Sequence, residues 1–239
     1  MPESHMHPST LPYYVVASSK QWHRAGFEAL VAERKGEWAW ASTPAELNDL
    51  VGSRAPRYIF FLHWNWIVPA QMWSSIECVC FHMTDVPYGR GGSPLQNLIE
   101  AGHTETKLTA LQMAQELDAG PVYAKRPLSL EGRAEDIYIR AGNLSFDIIR
   151  WMIEAHPTPE AQAGEVTTFK RRRPEQSALP QEADLATLFN HIRMLDAPSY
   201  PPAFIDHGEF RIEFTHASLQ QDALQAQVVI RKRTLPAKD

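Results

Sequence analysis

An alternation of short apolar runs with amphipathic segments constrains the fold most strongly. The apolar runs, which we predict to be strands, are YYVVAS (13–18), EWAWAS (37–42), RYIFFLHW (57–64) and ECVCFH (77–82). Segments with helical spacing separate them, and the third run is almost wholly apolar, as expected of a strand buried on both faces. This order predicts an α/β protein with a Rossmann-like, mostly parallel sheet and helices on both of its sides.

Helix ends are predicted by residues with special backbone preferences. In STPAELNDLVG, Ser42 or Thr43 is expected to cap a helix that has Pro44 in its first turn and Gly52 beyond its end. Ser93 is expected to cap a second helix that begins at position 94.

The order of elements changes in the second half of the chain. Two predicted strands, KLTALQM and GPVYAKRPLSL, precede the longest amphipathic helix at about 133–156. A helix and three strands follow, with the first two strands turning at residues 206–208. We therefore predict a Rossmann-like domain over residues 1–155 and a small C-terminal α+β region over residues 156–239.

Charge and cysteine content narrow the classes of function. The net charge of −5, from 28 acidic and 23 basic residues, argues against a general nucleic-acid-binding protein. The dense basic run at residues 170–173 is predicted to be a solvated loop or edge strand, although it could lie beside an anionic substrate. Cys78 and Cys80 point the same way on one strand, so no disulfide joins them. Free thiols, a polar N-terminus and no membrane-length apolar run predict a cytoplasmic protein.

Polar residues mark two strand ends and one connection as candidate ligand sites, because ligands of open parallel sheets bind beyond the carboxyl ends of strands. The strand ends are FFLHWNWIVP and CVCFHMTDVPYGRGGSP, with His82 closing the second strand. The connection ELDAGPVYAK contains Asp118 and Gly120. By residue type alone, His82 could be a structural histidine and Asp118 a turn residue. This reasoning reaches an α/β enzyme with a site around His82.

Several kinds of site are not indicated. The glycines after His82 match neither a dinucleotide fingerprint nor a phosphate-binding loop. We find no metal-like spacing of cysteines and histidines, and no serine in a nucleophile elbow.

Four motifs, however, resemble one known family. HMTDVPYGRGGSP, ETKLTALQMAQELDAGPVYAKRPLSL, FKRRRPEQS and HIRMLDAPSYPPAF are similar, in order and approximate spacing, to the formyltransferases that use 10-formyltetrahydrofolate. The resemblance runs from about residue 57 to residue 204. The family includes methionyl-tRNA formyltransferase, glycinamide ribonucleotide formyltransferase and nucleotide-sugar N-formyltransferases. The segment YGRGGSPLQNLI looks most like sugar N-formyltransferases associated with sialic-acid-like sugars of the pseudaminic and legionaminic type.

The resemblance implies roles for two residues. His82 matches the family's catalytic histidine and Asp118 its catalytic aspartate. An amine attacks the formyl carbon, and His82 would donate a hydrogen bond to the oxygen on which negative charge builds. Asp118 would orient His82 and relay a proton from the attacking amine.

One position departs from the family pattern. The family usually has Asn two residues before the histidine, where this chain has Cys80, a weak hydrogen-bond donor. Either Asn65, at the preceding strand end, supplies the missing amide, or the protein has lost transfer activity and only binds folate. We expect that Asn65 replaces it, because the other motifs are intact.

The resemblance also implies where folate binds. The pterin would bond mainly to main-chain groups at the strand ends, and the turn over residues 85–92 would lie by the folate and acceptor sites. The predicted cofactor-binding residues are Trp66, Ile67, Val68, Asp85, Arg90, Gly91, Leu117 and Gly120. Trp64, Trp66 and Trp73 could wall the pterin, although tryptophans beside a buried strand are more often core residues.

The function predicted from these features is N-formylation of a nucleotide-linked amino sugar. Arg90 and the basic run would hold the phosphates, and the C-terminal region would complete the acceptor site and could form a homodimer. Three alternatives stay open: methionyl-tRNA formylation, folate binding without transfer, and hydrolysis of the formyl donor. The acidic net charge and a C-terminal region that is short for that enzyme's β-barrel domain weaken the first.

Overall fold

The computed structural model describes residues 11–198 and 200–233. Its strands are β1 (Tyr13–Ala17), β2 (Glu37–Ala41), β3 (Tyr58–Phe61), β4 (Cys78–His82), β5 (Arg90–Gly91), β6 (Glu105–Gln112), β7 (Val122–Ser129), β8 (Thr168–Phe169), β9 (Ala203–His207), β10 (Phe210–Leu219) and β11 (Leu224–Lys232). Its α-helices are α1 (Arg24–Glu33), α2 (Pro44–Ser53), α3 (Ala70–Ser75), α4 (Pro94–Glu100), α5 (Ala134–Ala155) and α6 (Leu185–Arg193). Short 3-10 helices occupy Gln21–His23 and Pro174–Ser177.

The sheet topology confirms the predicted fold class. Six strands form one sheet in the order β2-β1-β3-β4-β6-β7, and the pairs β1–β2, β1–β3 and β3–β4 are parallel. A small antiparallel sheet, β11-β10-β9, follows in the C-terminal region. The buried run that predicts β3 has all four strand residues inside, as a strand covered on both faces requires.

The chain forms two compact units, and both are discontinuous in sequence. The first consists of the described residues up to Phe81, with Ala110–Ala124 and Gly142–Ala161. The second consists of His82–Thr109, Lys125–Ala141 and the described residues from Gln162 onward. The domain boundary at residue 155 stays a prediction.

The core of the first unit explains why its sheet needs apolar sequence. Alternate residues of β1 and β3, including Val15 and Ile59, pack with Leu47 of α2 and Met72 of α3. Cys78 joins the same cluster, where burial raises the pKa of its thiol to about 12. Cys78 and Cys80 are both free cysteines.

The start of α2 follows the prediction and its end does not. The Thr43 hydroxyl accepts a hydrogen bond from the Glu46 amide at 3.2 Å, and Pro44 is the first helical residue. Gly52, however, lies inside the helix, which ends at Ser53. The Arg54 amide still reaches the carbonyl of Leu50, so one glycine does not stop the helix.

Ser93 occupies the N-cap position of α4 and Pro94 is the first helical residue, as predicted. Ser93 has φ +51°, however, and its side chain makes no cap bond. Its hydroxyl accepts instead from the amide of Arg172 at 3.1 Å. The serine therefore ties the basic segment to the start of the helix.

In the second unit, α6 packs on the sheet formed by β9, β10 and β11. Gly208, with φ +57°, lies in the turn between β9 and β10, close to the predicted position. Within residues 11–198 and 200–233, none of the helices has the length and hydrophobicity that crossing a membrane requires.

Candidate active site

His82 closes β4 and is buried, with 8% of its surface exposed. Its Nε2 lies 2.8 Å from the carbonyl oxygen of Gly89, to which the Thr84 hydroxyl also donates at 3.3 Å. A carbonyl only accepts, so Nε2 carries a proton in this geometry. The other ring nitrogen, Nδ1, is then the atom that can exchange a proton, or donate when the ring is doubly protonated.

The turn that holds this carbonyl, residues 83–92, is called here the glycine-rich turn. Gly91 has φ +104°, and a Cβ there would lie 2.4 Å from the Phe169 carbonyl oxygen. A Cβ on Gly89, at φ +73°, would lie 2.7 Å from the Phe169 ring. These glycines admit β8, which pairs with β5 through Gly91 and Phe169. The group that lies against these glycines is therefore Phe169 of β8, a part of the chain itself. Contact between Gly91 and a ligand stays a prediction.

Asp85 anchors the same turn through two lysines. Lys107 lies 2.9 Å from its carboxylate, and Lys125 binds both that carboxylate and the carbonyl of Val86. Burial opposes the charged form, but the hydrogen bonds from the lysines prevail and lower the pKa of Asp85. The geometry gives Asp85 a structural task, and its contact with folate stays a prediction.

The basic run at residues 170–173 is only partly solvated. Arg172 has a side chain 5% exposed, and it binds Glu100 at 2.6 Å and the Gln176 carbonyl at 2.6 Å. The prediction of a solvated segment is therefore wrong for Arg172. It holds for the other three cations, which are exposed: Lys170, Arg171 and Arg173.

Arg90, predicted to bind cofactor or phosphate, is positioned by a neutral partner. Its Nε and one terminal nitrogen lie 3.1 and 2.8 Å from the side-chain oxygen of Gln162. The amide oxygen of Gln162 accepts both hydrogen bonds and so orients the guanidinium.

In the first unit, the segment after β3, residues 62–69, is called here the β3 loop. Asn65 is exposed on it, Trp66 is 44% exposed and Ile67 is 87% exposed. Trp64 and Trp73 instead pack against the hydrophobic core. Both are only partly buried, and Trp64 meets Trp66 with ring centroids 4.9 Å apart, so the tryptophan wall for the pterin stays a prediction.

The connection between β6 and β7, residues 113–121, carries the second predicted catalytic residue. Asp118 is half-buried with φ +54°, and its neighbour Leu117 is 64% exposed. A Cβ on Gly120 would lie 1.8 Å from the carbonyl oxygen of Gln112, so only glycine fits there. This close approach fixes the path of the chain beside Asp118.

Cys80 stands at the family's asparagine position. Burial, reinforced by the negative charge of Asp118, raises the pKa of its thiol, so Cys80 is uncharged at neutral pH. Trp64 and Val68, which flank Asn65 in the β3 loop, pack against the same cluster as Cys80. Cys80 and Asp118 are therefore close enough to interact electrostatically, and the β3 loop packs on the same core cluster as Cys80.

Sequence reasoning missed a buried pair of histidines in the first unit. His23 Nε2 lies 2.8 Å from His63 Nδ1, although the two residues are 40 positions apart. Only the strand order could have predicted this pairing, because the segments after β1 and β3 leave adjacent parallel strands. Among the described residues, no group of three or more His, Cys, Asp or Glu side chains is arranged to hold a metal ion.

This fold and strand-end site place the chain in the formyltransferase family. A solved methionyl-tRNA formyltransferase from Clostridium thermocellum is 40% identical, with a TM-score of 0.91, over 93% of this chain and 100% of that chain. The family profile described as "Methionyl-tRNA formyltransferase, C-terminal domain" matches residues 174–231. Curated relatives include methionyl-tRNA formyltransferases from Sorangium cellulosum, 28% identical over 61% of this chain, and Lysinibacillus sphaericus, 28% identical over 70% of this chain. The chain spans about half of the length of these relatives, 49% and 56%.

More distant structures share the fold. HypX from Aquifex aeolicus, solved in complex with tetrahydrofolic acid, is 16% identical over 87% of this chain and 38% of that chain, with a TM-score of 0.72. A sugar N-formyltransferase from Shewanella sp. FDAARGOS_354 is 14% identical over 81% of this chain and 92% of that chain, with a TM-score of 0.63. At these identities the likeness shows the fold alone.

Proposed function

We propose that this protein transfers the formyl group of 10-formyltetrahydrofolate to the amino group of a nucleotide-linked amino sugar. The observation that carries the proposal is the burial and fixed orientation of the His82 ring. It is buried at a strand end, and a main-chain carbonyl holds one ring nitrogen. A histidine fixed in this way is suited to proton transfer or to stabilising negative charge, because little reorganisation is needed during the reaction.

The first unit fits a folate. Trp66, Ile67 and Leu117 expose large apolar side chains on the β3 loop and on the β6–β7 connection. Exposed apolar groups of this size are typical of binding sites. A flat, largely apolar ring system such as a pterin would cover them, while nearby main-chain groups would bond its polar edge.

The bound folate would supply the formyl group, and the residues of the chain would manage charge and protons. We assign His82 to the oxygen that gains negative charge and Asp118 to the proton of the attacking amine. We assign to Asn65 the amide that the family usually places at the position of Cys80. The neutral thiol of Cys80 is too weak a donor for that task.

The acceptor's phosphates would bind in the second unit. Lys170, Arg171 and Arg173 have exposed side chains, and Arg90 lies in the same unit, where its guanidinium bonds the side-chain oxygen of Gln162. Cationic side chains on an ordered segment suit a phosphate group. The net charge of −5 disfavours a long polyanion such as tRNA.

Methionyl-tRNA formylation is the second candidate. The match of residues 174–231 to that enzyme's C-terminal domain favours it, and this match removes the argument that the C-terminal region is too short. The exposed cations of the basic run would then contact tRNA phosphates, and binding would weaken steeply with salt.

Tetrahydrofolate release from 10-formyltetrahydrofolate tests the proposal. The assay would include UDP-, dTDP- and CMP-linked amino sugars, methionyl-tRNA, and no acceptor. Release with one amino sugar supports the proposal. Release only with methionyl-tRNA establishes the second candidate, and release without acceptor shows a hydrolase. Folate binding without release under any condition would make the chain a folate-binding homologue.

We also propose a homodimer formed through β11. This strand lies at an edge of its sheet, and Val228, Val229 and Ile230 are 48%, 44% and 63% exposed. Antiparallel pairing of two copies about Val228 would place Arg231 opposite Gln225, so no like charges face each other. Light scattering on wild type and Val229→Lys tests this: a dimer that becomes a monomer supports the interface, and a wild-type monomer contradicts it.

A further inference from the structure

The order of strands creates a topological switch point in the first unit. Strand β1 lies between β2 and β3, so the chain passes to one side of β1 and then returns to the other. Ligands of open α/β sheets bind beyond the strand ends at such switch points. In this protein the 3-10 helix Gln21–His23 follows β1, and the β3 loop follows β3.

Two histidines join the segments that follow β1 and β3. His23 Nε2 and His63 Nδ1 are 2.8 Å apart, and the two rings stack with centroids 5.0 Å apart at 21°. His23 is 2% exposed, and a Cβ on Gly142 would lie 2.4 Å from its ring. Phe146 meets the same ring edge-on, with centroids 6.3 Å apart. The ring of His23 is therefore held from α5 while it bonds the β3 loop.

The backbone of His63 needs such support. Its φ of +46° lies in the left-handed region, which non-glycine residues rarely adopt without compensation. Besides the bond from His23, the Ser19 hydroxyl donates to the His63 carbonyl at 2.8 Å. Both supports come from the segment after β1, so that segment determines the direction in which the β3 loop leaves the sheet.

Both rings are neutral at physiological pH. Burial, and then the charge of Lys20, lower the pKa of His23 to about 4. Burial, His23 and Lys20 together lower the pKa of His63 to about 3. In a neutral pair one ring donates N–H and the other accepts, so the bond persists across the range in which an enzyme would be assayed.

We propose that His23 is a positioning residue which, through His63, holds the β3 loop in the conformation that binds the formyl donor. The proposal rests on the proposed function, because that loop carries Asn65 and the exposed Trp66. In this proposal the His23–His63 bond increases the affinity of the protein for folate, in addition to any effect on the stability of the fold. A bond of this kind in the free protein would pre-organise the loop for its ligand.

The test compares three variants of the full chain. His23→Leu removes the hydrogen bond and keeps a side chain of similar size, while His23→Gln keeps an amide that can bond His63. Phe27→Leu is the control, since Phe27 is buried in α1 and stacks on Trp40 rather than on His63. Calorimetry gives the Kd for tetrahydrofolate. Fluorine NMR of 5-fluorotryptophan-labelled protein without ligand reports on Trp64 and Trp66.

We expect His23→Leu to raise the Kd about tenfold, as follows if the competent loop conformation falls to about a tenth of the population. The Trp64 and Trp66 resonances should shift in the same variant without ligand. His23→Gln should recover most of the affinity, and Phe27→Leu should lower the melting temperature with an unchanged Kd. If His23→Leu does not fold, Ser19→Ala should raise the Kd in the same direction.

The outcomes separate this inference from the proposed function. Wild type that fails to bind tetrahydrofolate contradicts the proposed function. Wild-type binding with an unchanged Kd in folded His23→Leu, or in Ser19→Ala where that variant stands in, overturns the positioning role. Equal losses in His23→Leu and Phe27→Leu would also overturn it, because they would show a general effect of stability.

Discussion

The glycine-rich turn and the β3 loop follow neighbouring strands, and both are predicted from sequence to contact the formyl donor. The turn is held by its own chain: β8 lies against Gly91, Lys125 binds its Asp85, and a carbonyl within it fixes His82. The β3 loop is held at its base by the His23–His63 bond, and it leaves Ile67 87% exposed.

This contrast separates two tasks. A group that transfers protons or stabilises charge gains most from being fixed in advance, and under the proposed function the turn would do this for His82. A surface that binds a large apolar ring system gains from exposed side chains that the ligand covers, and under the same proposal the β3 loop would provide them. We therefore expect changes in the turn to affect turnover or stability. We expect changes in the β3 loop to affect the affinity for the formyl donor and, at Asn65, the rate of transfer.

The largest effect should come from the fixed histidine. His82→Ala should lower kcat by about a thousandfold, in the range lost with a general acid–base group. The fold should stay intact, and steady-state kinetics with circular dichroism would show both. Wild-type turnover in this variant would mean that His82 is a structural residue and that the site lies elsewhere.

Asn65 should contribute less to kcat than His82 does. Asn65→Ala should lower kcat about a hundredfold, the loss expected for one hydrogen-bond donor to a developing oxyanion. The double variant Asn65→Ala/Cys80→Asn should recover part of the rate, since it returns an amide to the position where the family has one. An unchanged rate in Asn65→Ala would show that water, Cys80 or main-chain groups serve this purpose.

The fixed character of the turn can be tested by stability. Gly91→Ala places a Cβ 2.4 Å from the Phe169 carbonyl oxygen at φ +104°, so it should lower the free energy of unfolding by about 2–3 kcal/mol. Gly52→Ala is the matched control. Nothing lies within 4 Å of its Cβ position, and it should stabilise by about 0.5–1 kcal/mol. Urea denaturation that gave equal stabilities for the two variants would contradict the packing described for β8.

The smallest effect should come from the lysine pair of the turn. The pKa of Asp85 is lowered in the folded state, so its stabilisation is present above the unfolded pKa near about 4 and is lost as pH falls through the folded pKa. Because its side chain is 41% exposed, the contribution should be under about 1 kcal/mol. Asp85→Asn should thus lower stability at pH 7, and this loss should shrink progressively as pH falls below about 4. A loss at pH 2 equal to that at pH 7 would exclude this ionic contribution.

Local sequence patterns predicted the elements of the fold well. The apolar runs gave the strands of the parallel sheet, and Thr43 with Pro44 began α2 where their backbone preferences place a helix start. The predicted end of α2 before Gly52 is wrong because a single glycine weakens a helix by only about 1 kcal/mol, which the surrounding packing offsets.

Features that depend on distant segments could not be predicted from local sequence. Ser93 stands at the N-cap of α4, but its hydroxyl accepts from the amide of Arg172 rather than from the helix. Arg172 belongs to a run predicted to be solvated, but its side chain is buried in an ion pair with Glu100. The pairing of His23 with His63 needs the adjacency of β1 and β3, which local patterns do not specify.

Hydrogen–deuterium exchange with and without tetrahydrofolate tests the central claim most directly. The amides of Arg90 and Gly92 already bond to the carbonyls of Thr167 and Phe169, so the glycine-rich turn should change little. Peptides that cover residues 62–69 and 113–121 should become protected when tetrahydrofolate is added. Protection of the turn alone, or binding that leaves both loop peptides unchanged, would contradict the division between a fixed turn and a loop that receives the donor.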